Sequence, residues 1–284
     1  MIYISTGGEK KLSAYDLVKI YHKHNINHIE LSGTRYSSTL FRDLKTLKSK
    51  INFQIHNYFP PPKIPFVINL ASLDSNINRL SFEHAKNSID WCKELGATHY
   101  SFHAGFLIDP GVNELGGTIM EKKLYKKDYC LEAFVKNVLN LNKYARDNNI
   151  TLMIENNVIT TNTLSRFGSN PLLMCDPKEI EMVMNYLTDD IKLLTDVAHL
   201  KVSSNTLKFD PSLFFELCNH KIGGYHLSDN DGLSDSNDTF NENSWFWKYL
   251  NLDLSYFSIE VYSSDIDILL NQREIFNKFK KNEY

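Results

Sequence analysis

The sequence predicts a single (β/α)8 barrel over residues 1–284, an α/β fold. Three observations carry this. Eight short apolar runs recur along the chain, segments with helical apolar spacing separate them, and 284 residues is a length at which such barrels form one unit. The runs are IYIST (2–6), HIELSG (28–33), NFQIHNYF (52–59), HYSFHAG (99–105), TLMIEN (151–156), KLLTDVAH (192–199), IGGYHLSD (222–229) and FSIEVY (257–262). They lack clean alternation, as expected of parallel strands covered on both faces.

The helical segments carry their own start and stop signals. SAYDLVKIYHKHN (13–25) opens on Ser13, a good cap. FEHAKNSIDWCKELG (82–96) ends in Gly96, suited to the left-handed residue that closes a helix. CLEAFVKNVLNLNKYARDNN (130–149) has a long apolar stripe. DPKEIEMVMNYL (176–187) and DPSLFFELCNH (210–220) each place Asp at the N-cap and Pro at the first helical position. SSDIDILLNQREIFNKFKK (263–281) closes the chain. The rival architecture is a doubly wound open sheet, but no GxGxxG follows the first run. The longer connections, 59–73, 105–126, 157–174 and 229–245, all follow strands, which in a barrel crowds them at the C-terminal face where active sites are built. The very polar stretch 232–244 reads as a disordered loop or as a lid over that face.

Composition narrows the function. Apolar residues make up 42% and charged residues 23%, with a formal net charge of −3. Proteins that bind duplex nucleic acid carry a basic surface, so this balance weighs against DNA as a partner. Cys92, Cys130, Cys175 and Cys218 form no CxxC pair and all fall in segments read as helical. Reduced, partly buried thiols are expected rather than disulfides or a thiolate zinc site. No signal-peptide pattern and no run of about 18 apolar residues occurs, so a soluble cytoplasmic protein is expected. A homo-oligomer remains open.

Four acidic or imidazole side chains end four separate runs: Glu155, Asp196, His226 and Glu260. A carboxylate at the end of a buried strand is costly unless something there requires it. In a barrel the four converge, and three carboxylates with one imidazole suit a divalent cation. His56 and His103 end the third and fourth runs at the same relative place. His199 follows Asp196 in D-V-A-H at the end of the sixth. Each histidine alone is more often structural, and the shared placement of His56 and His103 at strand ends raises a functional reading for them. Asn156, next to Glu155, is placed to orient it or to touch substrate. Arg166, in SRFGSNP, could hold a phosphate or carboxylate, or simply be a solvated charge. Tyr58, Phe59, Phe106, Phe240 and Trp245 lie near the expected mouth, either as a sugar-stacking surface or as ordinary packing.

The motifs IELSG, HNYFPPP, FHAG, IEN, DVAH, HLSDND and IEVY, one per strand in this order, resemble the xylose isomerase-like barrel superfamily. That superfamily contains sugar isomerases and epimerases, inosose dehydratases and endonuclease IV. The resemblance implies that Glu155, Asp196, His226 and Glu260 are the metal quartet, with Glu155 and Glu260 also the proton-transfer pair. It implies that His56 and His103 lie along the substrate or, in the endonuclease branch, complete an extra zinc site. His199 matches a ligand of a third zinc in that branch. That site also requires Asp-x-His after the seventh strand, where this chain offers Asp238-Thr239-Phe240 and has no histidine beyond His226. One divalent ion is therefore expected, manganese first, with zinc, magnesium or cobalt as alternatives. The activity expected is isomerisation or epimerisation of a sugar or sugar phosphate through a metal-stabilised enediolate. Metal-dependent lyase or hydrolase chemistry, including phosphodiester cleavage, and a non-catalytic binding barrel are the alternatives.

Overall fold

In the computed structural model, which describes residues 1–9, 11–114, 119–120 and 122–281, the eight runs form a closed barrel in sequence order. The strands are β1 (Ile2–Ser5), β2 (His28–Leu31), β3 (Asn52–His56), β4 (His99–His103), β5 (Thr151–Glu155), β6 (Lys192–Asp196), β7 (Ile222–Leu227) and β8 (Tyr256–Ile259). Every neighbouring pair is parallel, and β8 pairs with β1 to close the ring.

The helices are α1 (Ala14–Lys23), α2 (Leu40–Lys45), α3 (Ser75–Leu95), α4 (Lys127–Asp147), α5 (Thr161–Phe167), α6 (Pro177–Tyr186), α7 (Val197–Leu207), α8 (Pro211–Cys218) and α9 (Ile266–Lys280). The caps read from sequence are present. The Ser13 hydroxyl accepts from Asp16 N, and the Asp176 and Asp210 carboxylates accept from the first-turn amides of α6 and α8. Gly96 closes α3 at φ 78°. That helix starts earlier than its apolar spacing suggests, because Asp74 caps Asn76 N and Ile77 N.

Three sequence expectations are corrected. The sixth run is not a strand to residue 199: β6 ends at Asp196, which also caps α7, so His199 sits in the first turn of a helix. Cys175 lies outside any helix, just before the Asp176 cap, and all four cysteines are free thiols, as expected, but buried and not partly so. Among the described residues, β7 has no α-helix after it. Its place is taken by Trp247–Tyr249, a single 3-10 turn, with Phe246 fully buried and Trp247 stacked on Phe279 of α9 at 3.8 Å. The polar stretch 232–244 has no apolar spacing to support a helix, so aromatic side chains cover the barrel there instead.

The main core lies between strands and helices. A second, small cluster of Tyr3, Met153, Leu194 and Tyr256 plugs the barrel interior at its N-terminal end. Above that plug the interior is polar. Ser5, Glu30, Ser101 and Ser258 are all buried, where barrels of this type usually place branched apolar side chains. No described helix is long and apolar enough to cross a membrane.

Candidate metal centre

Successive side chains of a strand alternate faces, so Glu155 shares the inward face with Met153, and Asp196 with Leu194. Both acids are the last residues of their strands, and both are fully buried. His226 is the next-to-last residue of β7, and Glu260 directly follows β8. The four meet: each offers one ligand atom, and these atoms lie within 4.8 Å of one another. Nδ1 of His226 is 3.2 Å from Oε1 of Glu155, 2.8 Å from Oε2 of Glu260 and 3.9 Å from Oδ2 of Asp196.

His56, His103 and His199 gather around the same glutamate. His56 Nε2 and His103 Nδ1 lie 3.3 and 3.5 Å from Glu155 Oε2, and His199 Nδ1 lies 3.5 Å from Oε1. Glu155 thus presents one oxygen to the quartet and the other to His56 and His103, and the trio forms a second group with ligand spacing.

The electrostatics show what the protein alone does not satisfy. Burial disfavours the charged form of Glu155, yet His103, His226 and His56 hold its carboxyl well below the usual range. Burial and the charge of Glu155 push Asp196 up to about 7, although His199 pulls the other way. Burial works against protonated His226, but the carboxylates of Glu30, Glu155 and Glu260 raise it well above the ordinary imidazole value. Oε2 of Glu155, Oδ2 of Asp196 and Nδ1 of His103 are buried without a hydrogen-bond partner. Unpaired buried ligand atoms of this kind are expensive. A divalent cation among the quartet would satisfy Oδ2 of Asp196, and three carboxylates with an imidazole fit manganese, zinc, magnesium or cobalt. The residues therefore fit the expected metal.

The neighbouring groups set the geometry. Asn156 does not offer its side chain to the mouth. Its amide donates to Asp196 O (3.0 Å) and accepts from Asp196 N (2.8 Å), stapling the end of β5 to that of β6. His199 N donates to Asp196 Oδ1 (2.7 Å), which leaves Oδ2 for the centre. His199 Nδ1–H donates to Asn156 O (2.8 Å). His56 is held by the Ser101 hydroxyl at 3.0 Å. Arg166 is not brought into the cluster; its guanidinium donates to Ile119 O (3.2 Å) and ties the loops after β4 and β5 together. Phe59, Phe106 and Phe240 are buried in apolar clusters, which identifies them as packing.

Two acids escaped the sequence reading. Asp235, not Asp238, reaches the mouth: its Oδ2 lies 3.3 Å from His199 Nε2. Asp238 instead pairs backbone to backbone with Asp229. Through the Asp235 contact the polar loop packs against His199 beside the centre. Glu30 on β2 is fully buried and accepts from His226 Nε2–H at 2.9 Å. Burial alone would raise its carboxyl, but His226 overrides this and holds it at about 2.

The fold has close counterparts among solved structures. A D-tagatose 3-epimerase-like protein is 18% identical with TM-score 0.72, covering 99% of this chain and 97% of its own. The D-psicose 3-epimerase of Clostridium cellulolyticum H10, solved with D-tagatose, is 13% identical with TM-score 0.67, covering 99% and 98%. The IolI protein, solved with a zinc atom, is 13% identical with TM-score 0.70, covering 100% and 99%. No curated protein sequence matches the chain. The sequence pattern of one family matches residues 14–254. This chain belongs to the xylose isomerase-like TIM barrel family.

Proposed function

We propose that this protein is a divalent-metal-dependent isomerase or epimerase of a sugar or sugar derivative. The observation that carries this reading is the meeting of Glu155, at the end of β5, and Glu260, just after β8, within one 4.8 Å group with Asp196 and His226. When bound, a divalent ion would act as a Lewis acid on a carbonyl and its adjacent hydroxyl, acidifying the carbon between them. Glu155 and Glu260 would flank that carbon. One takes its proton and the other returns a proton to the opposite face, as two positioned carboxylates can. Asp196 and His226 would anchor the ion, manganese by preference. His103, whose Nδ1 has no partner, His56 and His199 would bond to substrate hydroxyls. Arg166, already engaged with Ile119, would contribute to loop order rather than to substrate contact. Residues 1–284 would act as one catalytic unit. The sugar epimerases among the similar structures and the zinc in the IolI structure support this reading.

A second reading is favoured by one observation: His56, His103 and Glu155 form a further ligand group sharing Glu155 with the first. A two-ion centre of that kind suits phosphodiester hydrolysis. The discriminating experiment is a metal-replete screen over ketoses, sugar phosphates, nucleotide sugars and abasic-site DNA in deuterated water, with the bound ions counted. Deuterium entering one carbon of a sugar, with one ion per chain, supports the first reading. Phosphodiester cleavage with two or three ions and no exchange replaces it with the second.

A further inference from the structure

The buried glutamate below the quartet has no part in the chemistry just described, yet it is set against one of the four residues that form it. Glu30 points into the barrel from β2, and none of its surface is exposed. Its Oε2 receives two donors, Nε2–H of His226 at 2.9 Å and the hydroxyl of Tyr256. Among the described residues no lysine or arginine pairs with it; its ion-pair partner is His226. Burying a carboxylate here in place of an apolar side chain carries a desolvation penalty that only its donors offset.

Resting on the reading that the quartet holds a divalent ion, we infer that Glu30 is the positioning residue of the centre: by accepting Nε2–H of His226, it turns a bare Nδ1 toward the ion. A neutral imidazole carries one proton and can place it on either nitrogen. With the proton on Nδ1, His226 would aim an N–H at the ion seat bounded by Glu155 and Glu260, and its Nε2 lone pair would face the Glu30 carboxylate. Glu30 makes that arrangement unfavourable and the ligating one favourable, in the way carboxylate partners orient metal-binding histidines.

The support extends one shell deeper. Tyr256 holds the same oxygen of Glu30 and is in turn packed closely. The interior space beside its ring exists because β7 has Gly224 there; a Cβ at that position would lie 2.5 Å from Tyr256 Cδ1 and 2.8 Å from Tyr256 O. Gly224, Tyr256, Glu30 and His226 thus form a continuous line of contacts from the barrel wall to the ion seat.

The test uses full-length protein with 15N-labelled histidine, Glu30→Gln and Glu30→Ala variants, and His226→Gln to assign the His226 signals. Zinc affinity is measured by competition with a chromogenic chelator, and the His226 tautomer by long-range proton–nitrogen spectra. The expected result is a protonated Nε2 and a zinc-shifted Nδ1 in the unsubstituted protein. Zinc affinity should fall roughly 10–100-fold in Glu30→Ala, with Glu30→Gln between the two because its amide oxygen still accepts. Unchanged affinity and tautomer in Glu30→Ala would overturn the role of Glu30 alone. If that variant does not fold, a zinc-shifted Nε2 in the unsubstituted protein overturns it equally. An unsubstituted protein that binds no zinc removes the metal centre itself, and this inference with it.

Discussion

Nδ1 of His226 on β7 lies 3.2 Å from Oε1 of Glu155 on β5, across the intervening strand. Two residues 71 positions apart in sequence meet because β5 and β7, both paired with β6, aim side chains from their C-terminal ends into the barrel. The glutamate also reaches His56 and His103 with its other oxygen, so it belongs to both the quartet and the His56–His103 group.

Replacing Glu155 or Glu260 with Gln keeps the shape and removes the charge. Each substitution is expected to lower kcat at saturating metal by about 10²–10⁴-fold, the usual contribution of a positioned acid or base. Circular dichroism should be unchanged. Steady-state kinetics on the ketose identified by exchange checks this. Near-normal turnover in both variants would remove the two glutamates from proton transfer.

Removing the ion should leave a folded but less stable protein. At free metal about 100-fold above its Kd, binding adds roughly 2.7 kcal/mol of stability. Thermal unfolding in chelator and then in excess manganese or zinc should therefore show Tm rising by several degrees with the ion. Identical midpoints would mean that the quartet of Glu155, Asp196, His226 and Glu260 does not hold an ion.

Gly224→Ala tests the space around Tyr256. The added methyl would strike both the Tyr256 ring and its backbone carbonyl, and overpacking of this kind costs about 1–3 kcal/mol. Urea unfolding should show that loss, together with weaker zinc binding as Tyr256 releases Glu30. A loss of stability with unaltered zinc affinity would separate the packing from the centre.

His84 gives a pH dependence that does not involve the centre. Burial in α3 lowers its pKa from 6.5 to about 4, although the Asn57 carbonyl 3.2 Å away favours the charged form. Because the folded value is depressed, the unfolded chain takes up the proton first. Stability from this group is full above about pH 6.5, falls as pH drops toward 4, and is then exhausted. Between pH 7 and pH 5 the loss amounts to about 2 kcal/mol. Denaturant unfolding in chelator at these two pH values should show a smaller loss in His84→Gln. An equal loss would place the dependence elsewhere.

The sequence made the eight strands legible because parallel strands covered on both faces read as apolar runs. Glu155, Asp196 and Glu260 stood out as acids against that background. Glu30 stood in the same kind of run, but inside it rather than at its end, and its partner His226 is 196 residues away. An isolated acid within HIEL was the available signal. Asp235 was hidden among the other acids of a polar loop, and only the closing of that loop onto His199 distinguishes it from Asp238. The boundary at residue 196 was obscured because Asp196 ends a strand and caps a helix at once. Helices α2 and α5 are too short to show a full apolar period. The space left by the missing helix after β7 is filled by aromatics whose partners, such as Phe279, are distant in sequence.

Anomalous diffraction from crystals grown with manganese or zinc tests the account at its centre. It predicts a peak between Glu155, Asp196, His226 and Glu260, about 2.0–2.3 Å from their oxygen and nitrogen ligands, with Nδ1 as the His226 donor. Saturating metal with no peak among these four residues would contradict it.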